Sequence, residues 1–389
     1  MNAAGIAPTP IEVLPRTAPS QSTMHAHELR AETPIPARLE LHDGAVMHGT
    51  SFGHAESTSG EVVFNTGMVG YPESLTDPSY YGQILACTYP LIGNYGVTPA
   101  SDSDGMDRHL ESWKIHARAL VVSDYSAQYS HWGAARSLAD WLKAEGIPGV
   151  TGIDTRTLTK RLREHGTMLG RIVIGDSSPD WYDPNVEPLG PMVSVREPIL
   201  YGLSGPRVAL IDCGAKHNLV RSLVSRGLQV LRVPWDHDLS GENVRGVLLS
   251  NGPGDPTQFT RTIETVRELV NRGTPTMGVC LGNQLLSLAI GARTFKLKYG
   301  HRSQNQPARL VGTERCYVTS QNHGFAVDTA TLPTGWSPWF ENLNDGTNEG
   351  IRHESGRFRS VQFHPEACPG PVDTAFLFDE FASEVASAR

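Results

Sequence analysis

The sequence predicts an α/β protein: a C-terminal domain with a mostly parallel sheet flanked by helices, preceded by a smaller α+β domain. Three observations predict this fold class. The 389 residues exceed what one typical core organises, so two domains are the natural expectation. In the second half, continuous apolar segments alternate with helical patterns, which is typical of a parallel sheet covered on both faces. In the first half, short strands are separated by glycine turns.

Composition narrows the class of protein. The formal net charge of -8 leaves no basic surplus to neutralise phosphates, which argues against a general nucleic-acid binder. No apolar run approaches membrane-spanning length, so we expect no membrane partner. The five cysteines are scattered and form no CxxC pair, which predicts neither a disulfide framework nor a zinc site. We therefore expect a cytoplasmic protein without a bound metal.

The chain begins with an extension and a first domain. Residues 1–36 are rich in Pro, Ala, Ser and Thr and have no periodicity, which predicts a disordered extension. The first domain is expected over residues 37–180. Asp43-Gly44 lies between two segments of alternating apolar residues, which predicts a hairpin turn. Asp154 is the expected N-cap of a helix and Gly166 the residue that ends it. The predicted elements are strands at 37–41, 45–48 and 60–65, a rigid loop at 67–80, and helices at 134–145 and 155–165.

A linker and the second domain follow. Residues 181–205 are polar, contain prolines and lack periodicity, so they are the expected linker. The remainder, residues 206–389, should carry the parallel sheet, whose reactive groups are expected at the carboxyl ends of the strands. Its predicted elements are strands at 208–212, 230–233, 247–250 and 276–279, and helices at 218–226, 261–272 and 283–290.

Cys280 ends one of these strands and lies between two glycines, directly before a helical run. This is the layout of a nucleophile elbow, in which small neighbours permit a sharp turn and the helix N-terminus stabilises the thiolate. Taken alone, the segment also fits a buried structural cysteine.

A histidine and a glutamate follow another strand. His364 and Glu366 are separated by one proline, which stiffens the backbone and fixes the direction of the two side chains. A nucleophile needs a base and a third group that orients the base, and Cys280, His364 and Glu366 supply these three roles. The glycine-rich loop 251–256 ends a third strand, and its uncovered backbone N–H groups are suited to stabilising an oxyanion.

The segment 319–325 combines amide side chains, a glycine and an aromatic residue. Such a set suits an α-amino-acid substrate, whose charged groups need polar partners while its stem needs an apolar wall. His323 in this segment is a second candidate for the base, although nothing upstream in the sequence orients it.

These motifs together resemble known families. GVCLGNQ, NGPGDP, TSQNHGFAV and VQFHPEACPGP are similar to the triad-type class I glutamine amidotransferases. GEVVFNTGMVGYPESLTDPSYYGQI, TYPLIGNYGV and GIDTRTLTKRLREHG resemble the N-terminal domain of carbamoyl-phosphate synthetase small subunits and its counterpart in the fused pyrimidine enzymes of animals. The resemblance extends from about residue 37 to the C-terminus.

The resemblance implies a role for each matching residue. Cys280 would be the nucleophile that attacks the glutamine amide, His364 the general base and acid, and Glu366 the residue that orients the imidazole. The backbone N–H groups of Gly254 and Leu281 would form the oxyanion hole. The glutamine-binding residues that the family implies are Ser79, Gly252, Gly254, Leu281, Gln284, Asn322, Gly324 and Phe325.

The resemblance also implies a glutamine-hydrolysing subunit that delivers ammonia to a large subunit, which makes carbamoyl phosphate from bicarbonate and ATP for pyrimidine and arginine biosynthesis. Because this chain has no phosphate-binding loop, we expect no cofactor in it and expect ATP and magnesium on the partner. Two alternatives stay open: an amidotransferase subunit of another ammonia-using synthetase, and a catalytically silent glutamine-sensing subunit. One residue departs from the family, since Asn283 stands where many relatives have histidine.

Overall fold

A computed structural model describes residues 34–103, 105–176 and 178–387. The predicted extension therefore lies outside the described residues except at its end, where the first strand already begins at Ile35. The chain from Ile35 onward forms one compact unit. The elements of its first half are β1 (Ile35–Leu41), β2 (Val46–Ser51), β3 (Thr58–Asn65), α1 (Tyr71–Thr76), β4 (Gln83–Cys87), β5 (Asp102–Ser103), β6 (Met106–Asp107), β7 (Ala119–Val122), α2 (Leu138–Ala144), β8 (Gly149–Thr151), α3 (Thr155–His165) and β9 (Met168–Ile174).

Seven of these strands close into a barrel in the order β1-β2-β8-β7-β4-β3-β9. Neighbours β3, β4, β7 and β8 run parallel, whereas β1 pairs antiparallel with both β2 and β9. Alternate residues of the strands, among them Leu39, Val62 and Ile84, pack with Leu158 and Leu162 of α3 in one buried cluster. The other face of β3, β4 and β7 packs on a second cluster that includes α1 and α2.

The rigid loop predicted at 67–80 is in fact partly helical. It contains α1 and a 3₁₀ turn at Pro78–Tyr80. Pro72 lies in the first turn of α1, where its missing N–H is no loss, and the side chain of Asp77 accepts a hydrogen bond from the Ser79 N–H at 2.9 Å. The prediction was wrong because the same glycines and prolines that suggest irregular backbone also start and stop short helices.

The second half contains one large sheet of ten strands in the order β10-β12-β11-β13-β14-β19-β18-β17-β15-β16. The elements are α4 (Gly190–Val193), β10 (Ile199–Tyr201), β11 (Arg207–Asp212), α5 (His217–Val224), β12 (Gln229–Pro234), β13 (Gly246–Leu249), α6 (Thr260–Arg272), β14 (Thr276–Val279), α7 (Leu281–Ala289), β15 (Arg293–Leu310), β16 (Cys316–Asp328), β17 (Trp336–Asn342), β18 (Asn348–His353), β19 (Phe358–Val361) and α8 (Phe376–Ser387), with 3₁₀ turns at Pro256–Gln258 and Thr329–Thr331.

The predicted parallel sheet is the central part of this larger one. Strands β12, β11, β13, β14 and β19 run parallel, with helices between most of them. Strands β15 to β18 form an antiparallel extension, because no helix separates them and adjacent strands can then pair directly. Part of the predicted linker also belongs to the sheet: β10 pairs antiparallel with β12, and α4 precedes it.

Helices cover both faces of the parallel strands. Val208 and Leu210 of β11 point into a cluster that includes α5 and α8, whereas Ala209 and Ile211 point into the cluster that includes α6 and α7. This two-sided burial explains the continuous apolar segments from which the parallel strands were predicted. None of the helices in the described ranges is long and apolar enough to cross a membrane.

Candidate active site

Three neighbouring strands end at the same edge of the sheet. In β13, β14 and β19, Leu249 lies beside Gly278, and Val279 lies beside Val361. Because the strands are parallel, the residues that follow their carboxyl ends come together. The glycine loop 251–256, Cys280 and His364 are those residues, so the sheet brings together three motifs that lie far apart in the sequence.

The turn at Cys280 has the backbone of an elbow. Cys280 has a φ of 56° and a ψ of -106°, a conformation that costs a non-glycine residue about 1–3 kcal/mol and is concentrated at functional sites. A Cβ on Gly278 would lie 2.4 Å from the carbonyl oxygen of Gly282, and a Cβ on Gly282 would lie 2.3 Å from that of Leu249. Both glycines are therefore required, and α7 begins directly after the cysteine.

The buried imidazole of His364 is held by Glu366. Its Nδ1 lies 2.6 Å from Oε1 of Glu366, while its Nε2 is buried and has no hydrogen-bond partner in the described part of the chain. Burial alone would lower the pKa of His364, but the Glu366 carboxylate and Cys280 outweigh it and raise the pKa to about 10. The imidazole is thus protonated at neutral pH. Cys280 lies close enough to stabilise this positive charge.

Lys216 is a buried residue of this site that sequence reasoning missed. Its Nζ lies 3.2 Å from Oε1 of Glu366 and also donates to the carbonyl of Ala367. Burial would raise the pKa of Glu366, but Lys216 and His364 lower it to about 2. The sequence held one signal for it: Lys216 follows β11, so it too lies at the reactive edge of the sheet.

A single pocket contains the predicted substrate-binding residues. Cys280 and all eight residues that the family implies for glutamine line it, whereas His364 and Glu366 do not. The lining also includes Pro253 of the predicted glycine-rich loop and His323, the second candidate base. Sequence reasoning missed the rest of the lining, which is Glu61, Gln83, Asn185, Lys296 and Arg302.

Ser79 brings the first half of the chain into the pocket. Its Oγ accepts a hydrogen bond from Nδ2 of Asn251 at 2.9 Å, which leaves the hydroxyl hydrogen available to a ligand. Asp77 fixes this arrangement, because its carboxylate accepts from the Asn251 amide at 3.3 Å and from the Asn322 amide at 3.2 Å. These contacts join the barrel to the loop after β13 and to β16.

The helix of the elbow is fixed by buried amides. Nε2 of Gln284 donates to the carbonyl of Phe325 at 2.9 Å and to Oε1 of Gln362 at 3.1 Å, so its own Oε1 remains as an acceptor. Asn283 donates to the same Gln362 oxygen at 3.1 Å and accepts from the Ser360 hydroxyl at 2.7 Å. Asn283 therefore connects α7, which begins directly after Cys280, to β19, which ends shortly before His364.

The second candidate base, His323, is held in a different network. Its Nδ1 lies 2.8 Å from the carbonyl oxygen of Phe325 and its Nε2 lies 3.0 Å from Oε1 of Gln321. Burial and the neighbouring His301 lower its pKa well below the ordinary value, so the ring is neutral. A neutral ring can donate to only one of these two oxygens, and neither belongs to a carboxylate, so His323 lacks the orienting group that Glu366 provides for His364.

The predicted oxyanion donors have no partner within the protein. Over the described residues, neither the Gly254 N–H nor the Leu281 N–H donates to another protein atom. Leu281 is the first residue of α7, where helical N–H groups lack internal acceptors. Both residues line the pocket beside Cys280, so their amides are available to a developing negative charge.

Comparison with known proteins agrees with these motifs. The family models described as "Carbamoyl-phosphate synthase small chain, CPSase domain" and "Glutamine amidotransferase class-I" match residues 39–172 and 209–383. The arginine-specific small chain of carbamoyl phosphate synthase from Aspergillus oryzae is 48% identical over 360 residues, covering 90% of this chain and 80% of that protein. The chain belongs to the carbamoyl-phosphate synthase small-chain family. It combines the small-chain domain with a class I glutamine amidotransferase domain.

Some members of this family are much longer proteins. Multifunctional protein CAD of Squalus acanthias is 51% identical over 352 residues, which are 89% of this chain but 16% of CAD. Multifunctional protein pyrABCN of Emericella nidulans is 47% identical over 386 residues, 89% of this chain and 17% of that protein. This chain thus spans about a sixth of the length of these relatives. Among solved structures, a glutamine amidotransferase from Thermotoga maritima has a TM-score of 0.35 at 20% identity, covering 42% of this chain and 77% of that one.

Proposed function

We propose that this chain is the glutamine-hydrolysing subunit of a carbamoyl-phosphate synthase. One observation carries the proposal: Cys280 opens into a pocket lined by all eight residues that the family implies for glutamine, with the His364–Glu366 pair buried behind it. The names of the relatives support carbamoyl phosphate as the product made with the released ammonia.

The geometry supports a thioester mechanism. The thiolate of Cys280 adds to the side-chain amide carbonyl of glutamine, and the N–H groups of Gly254 and Leu281 stabilise the oxyanion. His364, protonated in the free site, gives its Nε2 proton to the leaving nitrogen, so ammonia departs and the glutamyl thioester remains.

Acylation prepares His364 for the second half of the reaction. Cys280 contributes to the raised pKa of His364, and its negative charge disappears once the thioester forms. The imidazole, now neutral, can take a proton from water as that water attacks the thioester. Glutamate leaves and the thiolate is restored, while Glu366 holds Nδ1 throughout.

The ammonia requires a nearby consumer, because a protonated amine is no nucleophile. We propose a large synthetase subunit that combines ammonia with bicarbonate at the expense of ATP, with ATP and magnesium bound on that partner and no cofactor in this chain. The names of the relatives support a place in arginine or pyrimidine biosynthesis. The five free cysteines support a reducing, cytoplasmic location.

The test is glutamate release by the chain assembled with its large subunit. We expect Cys280→Ser to lose at least about a thousandfold in rate, and Cys316→Ser, an exposed cysteine outside the pocket, to retain the full rate. A glutamine-analogue electrophile should label Cys280 once per chain. Equal rates in wild type and Cys280→Ser would overturn the proposal, and absence of labelling in the complex would indicate a catalytically silent subunit.

A further inference from the structure

Two of the three charged side chains described below in the substrate pocket form an ion pair with each other, and the third does not. Three residues with ordinarily charged side chains line the pocket besides Cys280: Glu61, Lys296 and Arg302. Lys296 is paired, because its Nζ lies 2.7 Å from Oε1 of Glu61. Arg302 has no carboxylate within 4.0 Å over the described residues, although its side chain is buried and an arginine stays protonated.

Glu61 attracts Arg302 only at longer range, because its two oxygens are held by other donors. Its Oε1 accepts from Lys296, and from the Thr167 hydroxyl at 3.1 Å. Its Oε2 accepts from Nε2 of Gln83 at 2.9 Å. Both oxygens of Glu61 are therefore occupied, and no carboxylate contacts the guanidinium of Arg302 directly among the described residues. A buried charge without a partner is costly, so such a site is expected to receive an anion.

The guanidinium of Arg302 is placed to meet a ligand. Arg302 lies on β15 opposite Asn322 of β16, and only 5% of its surface is exposed. Its Nη1 donates to the carbonyl of Tyr299 at 2.9 Å, which anchors the group, while its Nε has no partner among the described residues. Its Nη2 lies 3.3 Å from the point where a Cβ on Gly324 would stand. The guanidinium therefore extends over Gly324, one of the predicted glutamine contacts.

We propose that Arg302 binds the α-carboxylate of glutamine and selects substrates that carry this group. The inference rests on the proposed function and adds to it the residue that fixes the charged end of the substrate. A guanidinium and a carboxylate pair through charge-assisted hydrogen bonds of fixed geometry. The free Oε1 of Gln284 is an acceptor in the same pocket, suited to the α-ammonium, so the two ends of the amino acid have separate partners.

The experiment removes the arginine and the carboxylate separately and together. kcat/KM is measured for L-glutamine and for 4-aminobutanamide, which has the amide and the ammonium but no carboxylate, with wild type and Arg302→Met. We expect Arg302→Met to lower kcat/KM for glutamine about ten- to a hundredfold, mainly through KM, because a hydrogen bond to a charged group is lost. For 4-aminobutanamide the change should stay below about threefold.

Arg309→Met is the matched control, since Arg309 lies on the same strand, outside the pocket, and is paired with Glu341. It should leave both rates within about twofold of wild type, and Arg302→Lys should fall between wild type and Arg302→Met. An equal loss on both amides would overturn the inference, because Arg302 would then act only through the structure of the pocket.

Calorimetric binding of glutamine to Cys280→Ser, with and without Arg302→Met, separates the two proposals. If wild type hydrolyses no glutamine but Arg302→Met still weakens binding tenfold or more, the proposed function fails and this inference stands.

Discussion

Lys216 and Glu366 form a buried ion pair, with Nζ 3.2 Å from the same Oε1 that accepts from His364. Oε2 of Glu366 is buried without a partner in the described part of the chain. The carboxylate thus depends on two cations at one oxygen. Lys216 also lies near Glu111 of the first half of the chain. Burial alone would lower the pKa of Lys216, but Glu366 and Glu111 raise it. His364 is therefore oriented through a lysine as well as through its glutamate.

Lys216→Met should impair catalysis through Glu366. Without the lysine only His364 offsets the burial of Glu366, so the carboxyl pKa should rise from about 2 towards the range of enzyme assays. We expect kcat to fall about a hundredfold and the acid limb of the pH–rate profile to move to higher pH. Unfolding in urea should show a loss of about 3–5 kcal/mol, typical of a broken buried pair.

Lys160→Met, on the exposed side of α3, controls for the loss of a lysine and should change neither the profile nor the stability. An acid limb that stays in place in Lys216→Met would contradict the orienting role of this residue, even if the rate fell.

Local motifs were predictable where one short segment determines the geometry. The glycines on both sides of Cys280 are needed for the close approaches at the elbow, and His364-Pro365-Glu366 keeps base and orienting group two residues apart, so both could be read from sequence. The ion pair of Lys216 could not be predicted beyond its position after β11, because Glu366 lies far along the chain, and Arg302 could not be placed in the pocket because it lies on a long strand without a local motif. Such residues become recognisable only when the sheet places them.

The sequence predicted part of the fold, the central parallel strands, and missed the rest. Apolar segments separated by helices indicated the central parallel strands, because burial on both faces leaves a continuous signal. The seven-stranded barrel and the hairpin of β15 and β16 were not predicted. Strands β3, β4 and β7 of the barrel are buried almost throughout, as the parallel strands of the large sheet are, and their pairing depends on distant partners. The pattern of one strand does not identify its neighbour.

The charge on His364 should make stability depend on pH. Its folded-state pKa is raised from 6.5 to about 10, so the stabilisation is fully present below pH 6.5 and is lost as the pH rises towards 10. We compare wild type with His364→Gln by urea unfolding at several pH values. The difference in unfolding free energy should shrink by at least about 1 kcal/mol between pH 6 and pH 10.

His109→Gln, at an exposed position, should show a difference from wild type that does not vary over this range. If the difference between wild type and His364→Gln were independent of pH, the imidazole would not be held in its charged form by Glu366.

Asn283→Ala should weaken the connection between the elbow and β19. The substitution leaves the Ser360 hydroxyl without its acceptor and removes one donor to Gln362, both at buried positions. Buried polar groups that lose a partner cost about 1–3 kcal/mol, which urea unfolding should detect. Because Cys280 directly precedes α7 and His364 follows β19, we also expect kcat to fall about tenfold with a small change in KM.

Ser287→Ala is the matched control on the same helix. Its hydroxyl donates to the backbone carbonyl of Asn283 and takes no part in the side-chain network. A loss in Ser287→Ala as large as that in Asn283→Ala would assign the effect to helix packing, and unchanged kcat in Asn283→Ala would remove the residue from the positioning of the site.

Gly254→Ala should test the oxyanion donor without removing any side chain. Gly254 has a φ of +83°, so an alanine there is strained, and its Cβ would lie 3.0 Å from Cδ1 of Leu189, which must move by a few tenths of an ångström. We expect the relief of this strain to displace the amide. Because loss of one oxyanion donor costs about a hundred- to a thousandfold in rate, we expect kcat to fall by that factor while calorimetric affinity for glutamine changes less.

Gly44→Ala is the control, since Gly44 has a φ of +89° with no atom within 4 Å of the added Cβ, and it carries the same backbone strain far from the pocket. Both variants should lose a similar stability of about 1–2 kcal/mol. A kcat in Gly254→Ala that matched Gly44→Ala would show that the amide of Gly254 does not stabilise the transition state, because strain would be the only effect of the substitution.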